Sequence, residues 1–109
     1  MSDKKPICID FDGVLNTYGG WKGPGELYEP LPGAKEFLEK LSEYFQVIIF
    51  TTREKSSVEL WMMEHNMYFD KVTHQKIAAV AYVDDRAVNF SGDFEKTFQE
   101  VITFKTHWE

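Results

Sequence analysis

Apolar positions in this chain fall into two kinds of pattern, continuous runs and helically spaced stripes. The run Pro6-Ile7-Cys8-Ile9-Asp10-Phe11 predicts a strand over 6–11 that is buried on both faces. Gln46-Val47-Ile48-Ile49-Phe50-Thr51 predicts a second, and Ala78-Ala79-Val80-Ala81-Tyr82-Val83 another. Between the first two, Ala34, Phe37, Leu38 and Leu41 recur at i, i+3, i+4 and i+7, the spacing of one helix face. Pro32 and Gly33 mark the start of that helix. Ser56, three residues before Glu59, predicts a capping box for a second helix, with Val58, Trp61, Met62 and His65 on its apolar face. A short strand is expected near 69–73, a short helix near 94–99 and a last strand near 101–104. Strands alternating with helices imply an α/β fold around a central parallel sheet with right-handed connections.

Composition changes this picture little. At 109 residues, 43% apolar and 28% charged, the chain reads as one ordinary globular domain spanning 1–109. Twelve Lys and Arg against eighteen Asp and Glu give a net charge of −6, which lacks the bulk footprint of a nucleic-acid binder. The single cysteine, Cys8, has no partner for an internal disulfide and reads as a small buried residue. No signal peptide is visible, and no apolar run approaches the roughly 18 residues of a membrane span. A cytoplasmic protein with no membrane partner is the expectation.

Chemistry gathers where the strands end. The first ends in Asp10-Phe11-Asp12-Gly13, the second in Thr51-Thr52-Arg53 and the later one in Asp84-Asp85-Arg86. Ligands of open parallel sheets bind outside the carboxyl ends of the strands, so all three ends should share one edge. Carboxylates at the end of an apolar strand are costly without compensation, and a divalent cation is the simplest compensation. Lys76 lies just before the last of these strands, within reach of the same edge.

Asp-x-Asp-Gly-Val after a hydrophobic strand resembles the first motif of the haloacid dehalogenase superfamily phosphatases. Thr51, Lys76 and Asp84-Asp85 resemble the second, third and fourth, in order, over residues 7–86. The resemblance implies a three-layer Rossmann-like domain and an aspartyl-phosphate mechanism. Asp10 would be the nucleophile and Asp12 the general acid and base. Mg²⁺ would bind Asp10, Asp84 and the backbone carbonyl of Asp12, with Asp85 holding metal-bound water or orienting its neighbours. The backbone around Phe11 and Gly13, together with Thr51 or its neighbour Thr52, would donate to the phosphoryl oxygens. Lys76 would pair with Asp10 and the phosphate, Lys71 being its rival. Asp12 sets the chain apart from the dehalogenases, which lack that second acid. Val14 and Asp12 together set it apart from the P-type pumps.

Neither interval between motifs can hold a substantial cap domain, so the resemblance is to the capless type. An open site is then covered by a large substrate or by an oligomeric neighbour. The loop 16–32, rich in glycine and aromatics, is long enough to be functional or mobile. Its Tyr18, Trp21 and Tyr28 either stack on a base or pack on the body. Arg53 and Arg86 either contact substrate or form ion pairs around the site. A small phosphorylated substrate, a nucleotide or a phosphorylated nucleic-acid end, is the expected class. The acidic charge argues against long nucleic acid. The alternative is a silent module of the same fold that binds a phosphorylated ligand or protein partner. His65 reads as packing, His74 as a residue that could line the cleft, and Thr106-His107-Trp108-Glu109 as a frayed end.

Overall fold

Alternate residues of the two longest strands face opposite sides, and one side builds the core. Ile7, Ile9, Val47, Ile49 and Val72 pack with Ala34, Leu38, Val58, Trp61 and Met62 in one buried cluster. Full burial of each large aliphatic side chain stabilises the fold by about 1.5–3 kcal/mol. The computed structural model describes residues 3–109. Its elements run β1 (Lys5–Asp10), α1 (Ala34–Ser42), β2 (Phe45–Phe50), α2 (Lys55–Glu64), β3 (Lys71–Thr73), β4 (Tyr82–Val83) and α3 (Phe94–Ile102). The four strands form one parallel sheet in the order β3-β2-β1-β4. The expected α/β class and parallel sheet are therefore present.

Both core helices end where their sequence allows. Gly33, at φ 92°, caps the N-terminus of α1 in the left-handed region that a side chain disfavours. At the far end of α2 the Met67 and Asn66 amides donate to Met62 and Met63 carbonyls, with Asn66 at φ 54°, a Schellman closure. The expected capping box does not form. Glu54 is the N-cap of α2, and the hydroxyls of Ser56 and Ser57, already inside the helix, donate to its carboxylate.

The second face of the sheet departs from expectation. Cys8 and Ile48 are buried there but lie outside the main cluster. The 74–81 link crosses this face without forming a helix. Tyr82, in register with Cys8, donates its hydroxyl to the Ile77 carbonyl. The apolar run 78–83 yields only the two-residue strand β4, joined to β1 by further bonds from Val80 N to Pro6 O and Cys8 N to Ala81 O. β4 is an edge strand, and Val80 and Tyr82 remain exposed.

The strand expected at 101–104 is absent. Phe94, Phe98, Val101 and Ile102 repeat at i, i+4, i+7 and i+8, so they extend α3 to Ile102. Asp93 caps that helix by accepting from the Lys96 amide. No residue of α3 is buried, so its apolar stripe faces outward. No helix among the described residues is long and apolar enough to cross a membrane.

Candidate active site

Register assembles the site. Asp10 pairs with Phe50, so Thr51 follows one step beyond on β2. Ile9 pairs with Val83, so Asp84 follows one step beyond on β4. Asp10 thus stands between the two outgoing strand ends, at the carboxyl edge where parallel sheets bind ligands. Asp10, Asp84 and Asp85 each bring a carboxylate oxygen within 4.8 Å of the others.

Crowding of these acids has a direct electrostatic consequence. Burial, then a hydrogen bond with Asp85 that exists only while the pair keeps a proton, then the negative fields of Asp84, Asp85 and Asp12, push the Asp10 carboxyl up to about 8. Asp85 Oδ1 is buried with no hydrogen-bond partner among the described residues. Without a proton, two carboxylate oxygens have nothing to exchange. A proton relieves the repulsion, and so does a cation. Three hard oxygen donors, one of them orphaned, fit a divalent cation such as Mg²⁺.

Asp12 is held apart from this cluster. Its Oδ1 accepts from Asn16 Nδ2 at 3.0 Å and its Oδ2 from Arg53 Nε at 2.7 Å. Asn16 is 1% exposed and fully engaged: its Oδ1 accepts from the Gly13 and Tyr18 amides, and its Nδ2 also donates to Leu27 O. The Arg53 guanidinium is almost wholly buried, donates to Glu26 O and lies 4.8 Å from the Trp21 ring centroid. The ion pair expected as one role of Arg53 is formed, and its Nη1 has no hydrogen-bond partner among the described residues.

The remaining expected residues separate into those near Asp10 and those elsewhere. Thr51 is buried, and its hydroxyl oxygen accepts from the Arg53 amide, which leaves the hydroxyl proton to donate. Lys76 lines a cavity of about 670 Å³ together with Asp10 and Asp84, but the expected pair with Asp10 is not formed among the described residues: its ammonium lies 5.1 Å from the Tyr82 ring centroid, while Lys71 opens the outer strand β3. Thr52 lies instead on a small cavity of about 210 Å³ with Trp21, Pro24, Arg53, Glu54 and Ser57. The Phe11 and Gly13 amides, expected to meet phosphate, are engaged within the chain, with Phe50 O and Asn16 Oδ1. Phe11 itself is buried edge-on against Trp61. His74 donates to the Arg53 carbonyl, and His65 packs on Trp61.

Aromatics of the 16–32 loop mostly pack on the body. Tyr18 meets Tyr28 and Trp108 edge-on, and Tyr28 O accepts from Trp61 Nε1. Trp21 alone stays 60% exposed. The tail expected to fray is instead ordered against the site: Trp108 Nε1 donates to Asp85 Oδ2 at 2.6 Å and His107 Nε2 to Gly13 O. Arg86 lies over the Trp108 ring. No periodicity in so short a segment announces this. Asn16 is a further residue that the sequence pattern does not single out; its Oδ1 accepts from the Tyr18 amide two residues on, the contact of an Asx turn.

No curated protein and no solved structure matches the chain. The family model of the NLI interacting factor-like phosphatases matches residues 28–106, which include Thr51, Lys76, Asp84 and Asp85 and begin after the Asp10–Gly13 turn. With well over half its length matched, and with Asp10 at the end of β1 brought beside the matched Thr51 and Asp84 by the sheet, the chain belongs to the NLI interacting factor-like phosphatases, a family of the haloacid dehalogenase superfamily.

Proposed function

We propose that this chain is a Mg²⁺-dependent phosphohydrolase that cleaves phosphate monoesters through an aspartyl-phosphate on Asp10. The observation that supports this most is the register that sets Asp10 between Thr51 and the Asp84-Asp85 pair. A carboxylate oxygen of Asp10 attacks phosphorus while the bond to the leaving oxygen breaks, and Asp12 gives that oxygen its proton. A water then attacks the same phosphorus, Asp12 takes the water's proton, and inorganic phosphate and free Asp10 result. Asn16 and Arg53 hold the Asp12 carboxylate for both proton transfers.

Asp10, Asp84 and Asp85, with the backbone carbonyl of Asp12, would hold the cation. Bound there, it would neutralise charge that the carboxylates and the phosphate otherwise concentrate in one place. Thr51 donates its free hydroxyl proton to a phosphoryl oxygen, and Lys76 adds positive charge from the Asp10 cavity. Preorganised donors of this kind each lower a phosphoryl-transfer barrier by roughly 3–4 kcal/mol.

The leaving group departs on the Asp12 side, where Arg53 and the exposed Trp21 border the smaller cavity. A flat ring on the leaving group suits that surface, which favours a nucleotide-sized substrate. The first test is phosphate release from an aryl phosphate with Mg²⁺ and with chelator. Mg²⁺-dependent release that disappears in Asp10→Asn supports the proposal. Release that survives Asp10→Asn, or the absence of release across nucleotides, sugar phosphates and phosphorylated ends, overturns it.

A further inference from the structure

The segment Thr106–Glu109 turns back over the acidic cluster and is tied down at several points. Thr106 is buried, and its hydroxyl donates to the Glu109 carboxylate. His107 donates to the Gly13 carbonyl. The Trp108 ring is held edge-on by Tyr18, with centroids 5.1 Å apart, and flanked by the Arg86 guanidinium. These contacts aim one group, the indole N–H, at one oxygen of Asp85, 2.6 Å away.

We infer that Trp108 is a positioning residue: its indole N–H fixes the Asp85 carboxylate so that the free oxygen completes a divalent-cation site with Asp10 and Asp84. This rests on the proposal that the cluster holds Mg²⁺. A carboxylate is planar, so pinning Oδ2 on a donor carried by an immobilised ring determines where Oδ1 points. Oδ1 is the buried oxygen with no hydrogen-bond partner among the described residues. An indole is a donor only and cannot ligate a cation itself, so it orients the ligand without competing with it. Gly13 makes the approach possible. A Cβ at that position would overlap the Asp85 carboxylate and lie 2.9 Å from Trp108 Nε1. Partners that orient metal ligands from outside typically change metal affinity by about 10–100-fold.

Calorimetric titration of the full chain with Mg²⁺ alone tests this without turnover. Wild type, Trp108→Phe, Asp85→Asn and the double variant are compared. Phe keeps the ring and removes the donor. Binding roughly ten- to a hundredfold weaker in Trp108→Phe is expected, with no further loss when the change is made in Asp85→Asn. Unchanged affinity in Trp108→Phe overturns the inference while leaving the cation site standing. A loss of equal size in both backgrounds also overturns it, because Trp108 then acts through something other than Asp85. Absence of Mg²⁺ binding by wild type removes the cation site and the inference together. A wild-type measurement guards against a variant that fails to fold. The Trp108 indole N–H resonance should follow the Mg²⁺ titration, while that of Trp61, bonded to Tyr28 O, should not. A Trp108 resonance that ignores saturating Mg²⁺ also counts against the inference.

Discussion

Arg53 Nε donates to Asp12 Oδ2 at 2.7 Å, across 41 residues of sequence, from a guanidinium that is almost completely buried. One residue thereby joins the end of β2 to the turn after β1. The same side chain bonds the Glu26 carbonyl and stacks on Trp21, so it also fixes the 16–32 loop. Arg53→Lys keeps the charge but loses the planar fork that serves Asp12, Glu26 and Trp21 at once. Displacing a reacting group by about 1 Å costs roughly a hundredfold. We expect kcat for an aryl phosphate to fall roughly ten- to a hundredfold in Arg53→Lys. An unchanged kcat would show that Asp12 does not depend on this ion pair.

Asn16 carries a heavier structural load than its single letter suggests. It accepts from two amides and donates to Asp12 and to Leu27 O while 1% exposed. Asn16→Leu would strand the Gly13 and Tyr18 amides and the Leu27 carbonyl. Each buried polar group left unmade costs about 1–3 kcal/mol. Urea unfolding should therefore report a loss of at least about 2 kcal/mol. A loss below about 0.5 kcal/mol, the range of ordinary surface changes, would mean that water or rearrangement satisfies those groups.

Some of this was legible in the residues and some was not. Continuous apolar runs located β1 and β2 because strands buried on both faces are written that way; Asp10 and Thr51 stand at their ends, and Asp84 at the end of the run that became β4. The run at 78–83 misled because β4 lies at an edge, where only Tyr82 and Val83 pair as a strand. Val101–Phe104 misled because β-branched and aromatic residues favour strands locally, while the four-residue recurrence from Phe94 decides for a helix. Nothing local could show that Trp108 meets Asp85, or that Arg53 meets Asp12. Those contacts exist only after the sheet has brought its strand ends together.

Asp10 supplies a test by pH. Its carboxyl titrates at about 8 in the fold against 3.8 as a free group. The fold therefore binds this proton more tightly than the unfolded chain does. Its contribution to stability is fully present below about 3.8 and is lost as pH rises through about 8. The melting temperature of metal-free wild type should fall between pH 5 and pH 8.5 more steeply than that of Asp10→Asn. Added Mg²⁺ should restore most at the alkaline end, because a cation at this cluster takes the place of the proton. Parallel pH profiles for the two proteins would refute the shift.

The outer face of α3 separates packing from exposure. Leu38 in α1 is fully buried, and Leu38→Ala should cost about 2–5 kcal/mol. Phe98, 57% exposed on α3, should lose no more than about 0.5 kcal/mol on conversion to Ser. Denaturant midpoints of the two variants give the comparison. A large loss for Phe98→Ser would show that this stripe is covered in solution.

Gly13 and Gly33 share a backbone conformation and differ in surroundings, which separates strain from collision. Their φ angles are 84° and 92°, both in the region that an L side chain disfavours. A Cβ at Gly33 meets nothing within 4 Å, whereas one at Gly13 runs into Asp85 and Trp108. Gly33→Ala should therefore show strain alone, a stability loss of about 1–2 kcal/mol with kcat unchanged. Gly13→Ala adds displacement of the Asp85 carboxylate and of the indole that holds it. It should lose at least roughly tenfold in Mg²⁺ affinity, since the orientation of a ligand is disturbed. Equal Mg²⁺ affinity in the two variants would show that the close approach at Gly13 has no bearing on the acidic cluster. A selective loss in Gly13→Ala would connect the glycine of the first turn to the cluster through Asp85, a link that its place in the Asp-x-Asp-Gly run alone does not explain.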